Sequence, residues 1–208
     1  MAASTRDVFI NCPFDDDFAP SFRALVFGVI ACGFRARCAR EVDDAAETRI
    51  DKLYRIIEQC RFGIHDISKT ELDAKSGLPR FNMPLELGIF LGAKRYGADD
   101  QKIKRCVVLD REQYRFHMFM SDLAGVDIKA HDGDPRLMVK CIRDFLVTAS
   151  KRKTIPTAIR ILESYDAFLE ALPELARLSA FDPKDMLFPD FERLVIAWVD
   201  RDRAGKVA

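Results

Sequence analysis

Phe62-Gly63-Ile64-His65-Asp66-Ile67-Ser68 is the stretch that decides the fold. It is short, largely apolar and closed by polar residues, which predicts a buried strand running from Phe62 to Ile67. A polar loop from Ser68 to Arg80 follows, and then Asn82-Met83-Pro84-Leu85-Glu86-Leu87-Gly88 opens an apolar helix ending near Gly97. Asn82 or Met83 fits the cap. Pro84 suits the first turn, where its missing N–H has no helical partner. This places Glu86 in that first turn, where a carboxylate also complements the helix dipole. A carboxylate at a helix start, reached by a loop from a buried strand, stands where open α/β sheets bind ligands.

Strands and helices alternate on either side of this stretch. Val8 to Cys12 is an apolar run stopped by Pro13, and Asp15, Asp16 and Asp17 offer caps for a helix with Phe18, Phe22, Leu25, Val26, Val29 and Ile30 at helical spacing. Cys32-Gly33 closes that helix. Phe34 to Cys38 is a more polar strand, suited to an edge. Ile50, Leu53, Tyr54, Ile57 and Cys60 mark a second amphipathic helix. Downstream, Lys104 to Asp110 is a fourth strand, Val126-Asp127-Ile128 a short fifth, and Pro135 to about Thr148 a helix. This rhythm predicts an α/β fold, a doubly wound parallel sheet of about five strands. By analogy the order is flavodoxin-like, with its switch point between strands one and three. Cys12 to Asp15 and His65 to Ser68 then meet at one crevice.

Residues 151–208 differ in character. After the basic break Lys151-Arg152-Lys153, Ile155 to Leu172 shows helical apolar spacing, Pro173 bends it, and Phe188 to Val199 forms another helix carrying Trp198. The expected division is an α/β domain at 1–150 and a C-terminal helical extension at 151–208. The apolar positions Ile159, Leu162, Phe168, Leu169, Leu194, Ile196 and Trp198 exceed what an exposed helix leaves in water. They must bury against the α/β domain or in a homo-oligomer formed through the helices.

Lys+Arg and Asp+Glu balance at 33 each in 208 residues, so charge steers the chain toward neither nucleic acid nor an anionic membrane. No apolar run approaches the roughly 20 residues of a membrane span, and the N-terminus lacks a signal-type apolar region. The six cysteines have no CxxC spacing. A cytoplasmic protein without a disulfide framework is expected. His65, His117 and His131 lack metal-ligand spacing, and Gly28 and Gly33 do not make a phosphate-loop fingerprint. No metal or redox cofactor is implied. Arg35, Arg37 and Arg40 could meet phosphates, though an exposed structural cluster accounts for them as well.

The candidate site comprises Phe14, Asp15, Asp66, Ser68, Asn82 and Glu86, all on loops predicted to share one sheet edge. Two carboxylates, Asp66 and Glu86, are the minimum equipment for glycosidic chemistry: one stabilises or captures an oxocarbenium-like centre, the other binds ribose hydroxyls or handles protons. Phe14 could face a base or sugar. Asp66 has a structural alternative, since an aspartate after a strand often caps the next turn.

The opening Val8-Phe9-Ile10-Asn11 with its acidic patch resembles the start of TIR and TIR-like domains. Ile64-His65-Asp66-Ile67-Ser68, followed by the helix-opening Glu86-Leu87-Gly88, is similar to TIR-like proteins and nucleoside 2-deoxyribosyltransferases. The resemblance spans roughly residues 7 to 148 as an order of elements. It implies a flavodoxin-like sheet and cleavage of N-glycosidic bonds in NAD or nucleosides, with Glu86 as catalytic glutamate and Asp66 as the carboxylate on substrate hydroxyls. NAD would then be a substrate, and activity would be governed by assembly, often in antiviral defence. Phe81-Asn82-Met83-Pro84 stands where TIR domains often carry serine and Trp-Cys, and Phe9 where many deoxyribosyltransferases carry an aromatic hydroxyl. Three readings stay open: a TIR-like N-glycosidase, a non-catalytic nucleotide-binding sensor or scaffold, and a deoxyribosyltransferase.

Overall fold

The computed structural model describes residues 3–42, 44–73, 76–182 and 185–205. Five strands, β1 (Ser4–Asn11), β2 (Arg35–Arg37), β3 (Cys60–Asp66), β4 (Arg105–Asp110) and β5 (Lys129–Ala130), pair in parallel in the order β2-β1-β3-β4-β5. This is the flavodoxin-like order, with its switch point between β1 and β3. The helices are α1 (Ala19–Ala31), α2 (Arg49–Gln59), α3 (Asn82–Tyr96), the single turn α4 (Asp99–Lys102), α5 (Pro135–Ser150), α6 (Ala158–Leu178) and α7 (Phe188–Ala204).

Alternation along the strands divides the core. Val8 and Ile10 of β1, with Phe62 and Ile64 of β3, join the residues of α1 and α5 on one face. Phe9, pointing oppositely, packs with Leu53, Ile56 and Ile57 of α2 and Phe90 of α3. α1 is buried almost all round, from Ser21 to Ala31 with Arg23 the exception. It can be so because α6 and α7 cover its outer side: Phe27 lies 5.1 Å from Tyr165 and 5.3 Å from Phe168, ring centre to centre. The C-terminal helices therefore complete the main core within the chain. Of the apolar positions expected to bury there, Phe168 and Leu194 do so and Leu162 and Trp198 are half-buried, whereas Ile159, Leu169 and Ile196 stay exposed.

Several boundaries differ from the sequence expectation. β5 begins at Lys129, with Ile128 just before it buried under β4 and α3. α6 continues past Pro173 to Leu178, and Leu172 and Ala176 on either side are both seated in the core. α3 begins at Asn82 with Phe81 as its cap, so Pro84 is its third residue and Glu86 lies beyond the first turn. Leu85 N, donating to Phe81 O at 3.0 Å, makes the first helical bond immediately after the proline. Glu86 accordingly shares the inward face with Met83, Leu87 and Phe90. No helix among the described residues is long and apolar enough to cross a membrane.

Candidate functional site

Asn11 closes β1 and organises the switch point. One of its amide hydrogens is donated to Met83 O at 2.8 Å, fixing the first turn of α3, and its Nδ2 lies 3.1 Å from His65 Nδ1. Burial pushes the His65 imidazole down to about 3, so the ring is neutral and Nδ1 accepts. Phe90 packs edge-on to that ring at 4.9 Å. The space is secured by Gly63, where a Cβ would meet His65 Nε2 at 2.7 Å and Phe90 at 2.9 Å. β1, β3 and the start of α3 are thereby locked together, and Glu86 is delivered one turn along α3.

Glu86 is 5 % exposed and has no hydrogen bond to protein among the described residues. Desolvation pushes its carboxyl up to about 7, with Arg49 drawing it partly back. It lines a cavity of about 290 Å³ with Cys12, Phe14, Arg49, Asn82, Lys69 and Arg80 among its neighbours. Lys69 and Arg80 also line a larger cavity of about 620 Å³, walled by Asp15, Ser68, Arg111 and His131. The two spaces are therefore neighbours along the C-terminal edge of the sheet, divided by two cations.

The six predicted site residues fall into three groups. Phe14, Asn82 and Glu86 share the smaller cavity. Asp15 and Ser68 line the larger one. Asp66 lines neither, since it is 0 % exposed. Its Oδ1 accepts from Ser68 N at 3.0 Å and from Ser68 Oγ at 2.6 Å, while Oδ2 stands 3.1 Å from His131 Nε2 without hydrogen-bond alignment. His131 Nδ1 accepts from Gly133 N at 3.0 Å, which leaves the ring proton on Nε2 toward Asp66. Asp66 thus caps the loop after β3 through Ser68, lies against His131 after β5, and faces neither cavity in this structure. Asp66 and Glu86 nevertheless both lie close enough to Cys12 to add to the upward shift of its thiol, which burial dominates. The shift keeps that thiol in its protonated form.

Several residues of the site carry no sequence signal of their own. Lys69 pairs with Asp15 at 2.8 Å, Arg80 with Asp73 at 3.1 Å, and Arg111 with Glu71. Arg111 and Arg115 both donate to Ser68 O, at 2.9 and 2.7 Å, and Arg115 also pairs with the buried Asp110 at 2.5 Å. Lys69 and Arg80 come from the loop after β3 and Arg111 and Arg115 from the segment after β4, and composition alone conceals that the two segments meet at Ser68. By contrast, Arg37 is buried in a network with Asp7, Glu41 and Gln59, so the cluster read as exposed is internal there. Arg40 lies 4.8 Å over the Phe14 ring and donates to Phe14 O at 2.7 Å, holding the aromatic at the cavity wall. Among the described residues no group of His, Cys, Asp and Glu is placed to hold a metal ion. No protein-family model matches the chain, and no curated protein is significantly similar to it.

Proposed function

We propose that this protein is a TIR-like N-glycosidase that hydrolyses the N-glycosidic bond of NAD or a related nucleotide, with Glu86 as the catalytic carboxylate. The observation that supports this reading is a single desolvated carboxylate, free of protein hydrogen bonds, at the wall of a crevice beside the switch point. A carboxylate held in a desolvated setting, with no hydrogen bond to neutralise it, interacts strongly with positive charge that develops beside it. In glycosidic cleavage that charge appears on the ribosyl C1′ as the C1′–N bond breaks and its electron pair leaves with the base. From NAD the base departs as neutral nicotinamide. Water then adds to C1′ and loses one proton to solvent, leaving ADP-ribose.

The neighbouring groups fit the rest of such a substrate. Lys69 and Arg80 stand between the two cavities, where a pyrophosphate linking two nucleoside halves would lie. Their present partners, Asp15 and Asp73, form partly exposed ion pairs of the kind worth only about 0–1 kcal/mol, so phosphate oxygens can replace them at little cost. Phe14 offers a ring to the base or sugar beside Glu86, and Asn82 an amide to hydroxyls. The withdrawal of Asp66 supports a second reading, a sensor of the same fold that binds a nucleotide without turnover, because among the described residues only Glu86 remains as a carboxylate on the smaller cavity.

Incubation of the purified chain with NAD, NADP and nucleosides, at low and high protein concentration, decides between them by chromatography of released base. Release that Glu86→Gln abolishes supports the glycosidase. Saturable nucleotide binding with no release in the parent, unchanged in the variant, supports the sensor. Release that survives in the variant refutes the assignment of Glu86.

A further inference from the structure

We infer that the N-terminal edge of the sheet, opposite the Glu86 crevice, holds a binding site for a small phosphorylated anion, built from Arg6, Arg61 and Arg152. A cavity of about 380 Å³ opens there, lined by these arginines with Thr5, Phe62 and Ser150 and, among the described residues, by no acidic side chain. The chain has as many acids as bases, yet among the described residues none of the three guanidinium groups has a carboxylate partner. Three uncompensated cations around one concavity raise its potential, and that repulsion is relieved by an anion.

The cluster is a product of local irregularity. Ser4 faces Cys60 and Val8 faces Phe62, so four steps along β1 are set against two along β3. A bulge of this kind re-aims side chains. It leaves Thr5 and Arg6 on the exposed rim, while Asp7 turns inward to Arg37 at 2.9 Å and is withdrawn as a partner. Arg152 comes from the turn after α5; it donates to Gly33 O at 3.1 Å and lies 5.0 Å over the Phe34 ring, which fixes its reach. Arg61 Nε is buried with no acceptor. An unmade buried N–H is costly, and an anion that draws the guanidinium into the cavity supplies the acceptor that the protein does not.

The C-terminal end of α5 is the competing explanation, since cations stabilise helix C-termini. Its dipole amounts to about half an elementary charge, against three full charges. Leu146 O and Val147 O are already taken by Ser150 Oγ and Lys151 N. The concave, small-ligand size of the space favours a phosphorylated small molecule over an extended polymer, and the fork of a guanidinium matches phosphate oxygens.

Calorimetric titration of the full chain with pyrophosphate tests the site, using Lys69→Gln/Arg80→Gln to remove the cations of the crevice and, on that background, Arg6→Gln/Arg61→Gln or Arg6→Gln/Arg152→Gln. The expected result is saturable binding that persists in Lys69→Gln/Arg80→Gln and is weakened at least tenfold when either arginine pair is removed as well, with unchanged circular dichroism. If Arg61→Gln disturbs folding, the Arg6/Arg152 pair carries the test. Absence of saturable binding by the parent in the millimolar range, its loss in Lys69→Gln/Arg80→Gln, or its survival when the arginine pairs are removed overturns the inference. So does a single-stranded oligonucleotide that binds through the same arginines more tightly than pyrophosphate, which would make the surface one for a polymer backbone.

Discussion

Glu86 combines two opposed demands in one side chain. Its carboxyl is raised from an ordinary 4.5 to about 7 by burial, so the folded state disfavours the charged form. The sign of the linkage follows: the cost is absent below about pH 4.5, grows as pH rises toward 7, and is fully present above it. A shift of that size corresponds to at most roughly 3 kcal/mol. Glu86→Gln should therefore raise stability at pH 8 by an amount approaching that value and change little at pH 4, measured by urea unfolding at both pH values. If the variant is instead less stable at pH 8, the carboxylate is structural. Catalysis needs the ionised form, so kcat/KM for base release should climb about tenfold per pH unit below 7 and level off above it; a profile flat from pH 5.5 to 8.5 would contradict the role given to Glu86. Sequence located this residue by its place before Leu87-Gly88, but assigned it to the wrong turn. The cap lies at Phe81, which has no capping side chain, and the helix start is set by Asn11 holding Met83 O, a contact across 72 positions in the chain. For Asp66 the local half was legible: it caps the next turn through Ser68, the structural alternative that an aspartate after a strand offers. Its approach to His131 was not, because that residue sits on a different loop and is brought there by the parallel pairing of β5.

Gly63 and Gly88 show how differently one residue type is used in adjacent elements. In β3 an added methyl at Gly63 would run into the His65 and Phe90 rings, both fully buried and unable to swing away. Gly63→Ala should cost about 1–3 kcal/mol by overpacking and should displace α3, since Phe90 belongs to it. At Gly88, on the exposed face of α3, nothing lies within 4 Å of an added methyl. Gly88→Ala should stabilise by about 0.4–1 kcal/mol through helix propensity and a less free unfolded chain. Urea midpoints of the two variants check both signs; equal effects would refute the packing described around His65. The elements with regular apolar spacing, β1, α1, β3 and α5, were legible because burial on one or both faces imposes the period. β5 and the passage of α6 through Pro173 were not. A strand of two residues carries no period, and the seating of Leu172 and Ala176 against the rest of the molecule overrides the local preference of proline.

At the scale of the whole molecule, the C-terminal helices answer a need created near the other end of the chain. α1 is apolar on nearly every side, and a helix of that kind is stable only when enclosed. The sheet, with α5, covers one side, and α6 and α7 the other. Phe168 is the centre of this closure, 0 % exposed with ring centres at 5.3 Å to Phe27, 5.9 Å to Phe191 and 5.8 Å to Trp198. Phe168→Ala should cost about 3–5 kcal/mol by leaving a cavity among three rings, read by urea unfolding and by a shift of the Trp198 emission. Truncation after Ser150 goes further, because it uncovers Phe27 and its neighbours along α1 at once. The 1–150 fragment should aggregate or bind a hydrophobic dye strongly, and refolding at low concentration should not restore the parent's cooperative unfolding. Packing within the chain thus makes residues 151–208 part of the folding unit. A soluble, monomeric fragment that unfolds at the parent's urea midpoint would overturn that view and return α6 and α7 to the standing of an appendage.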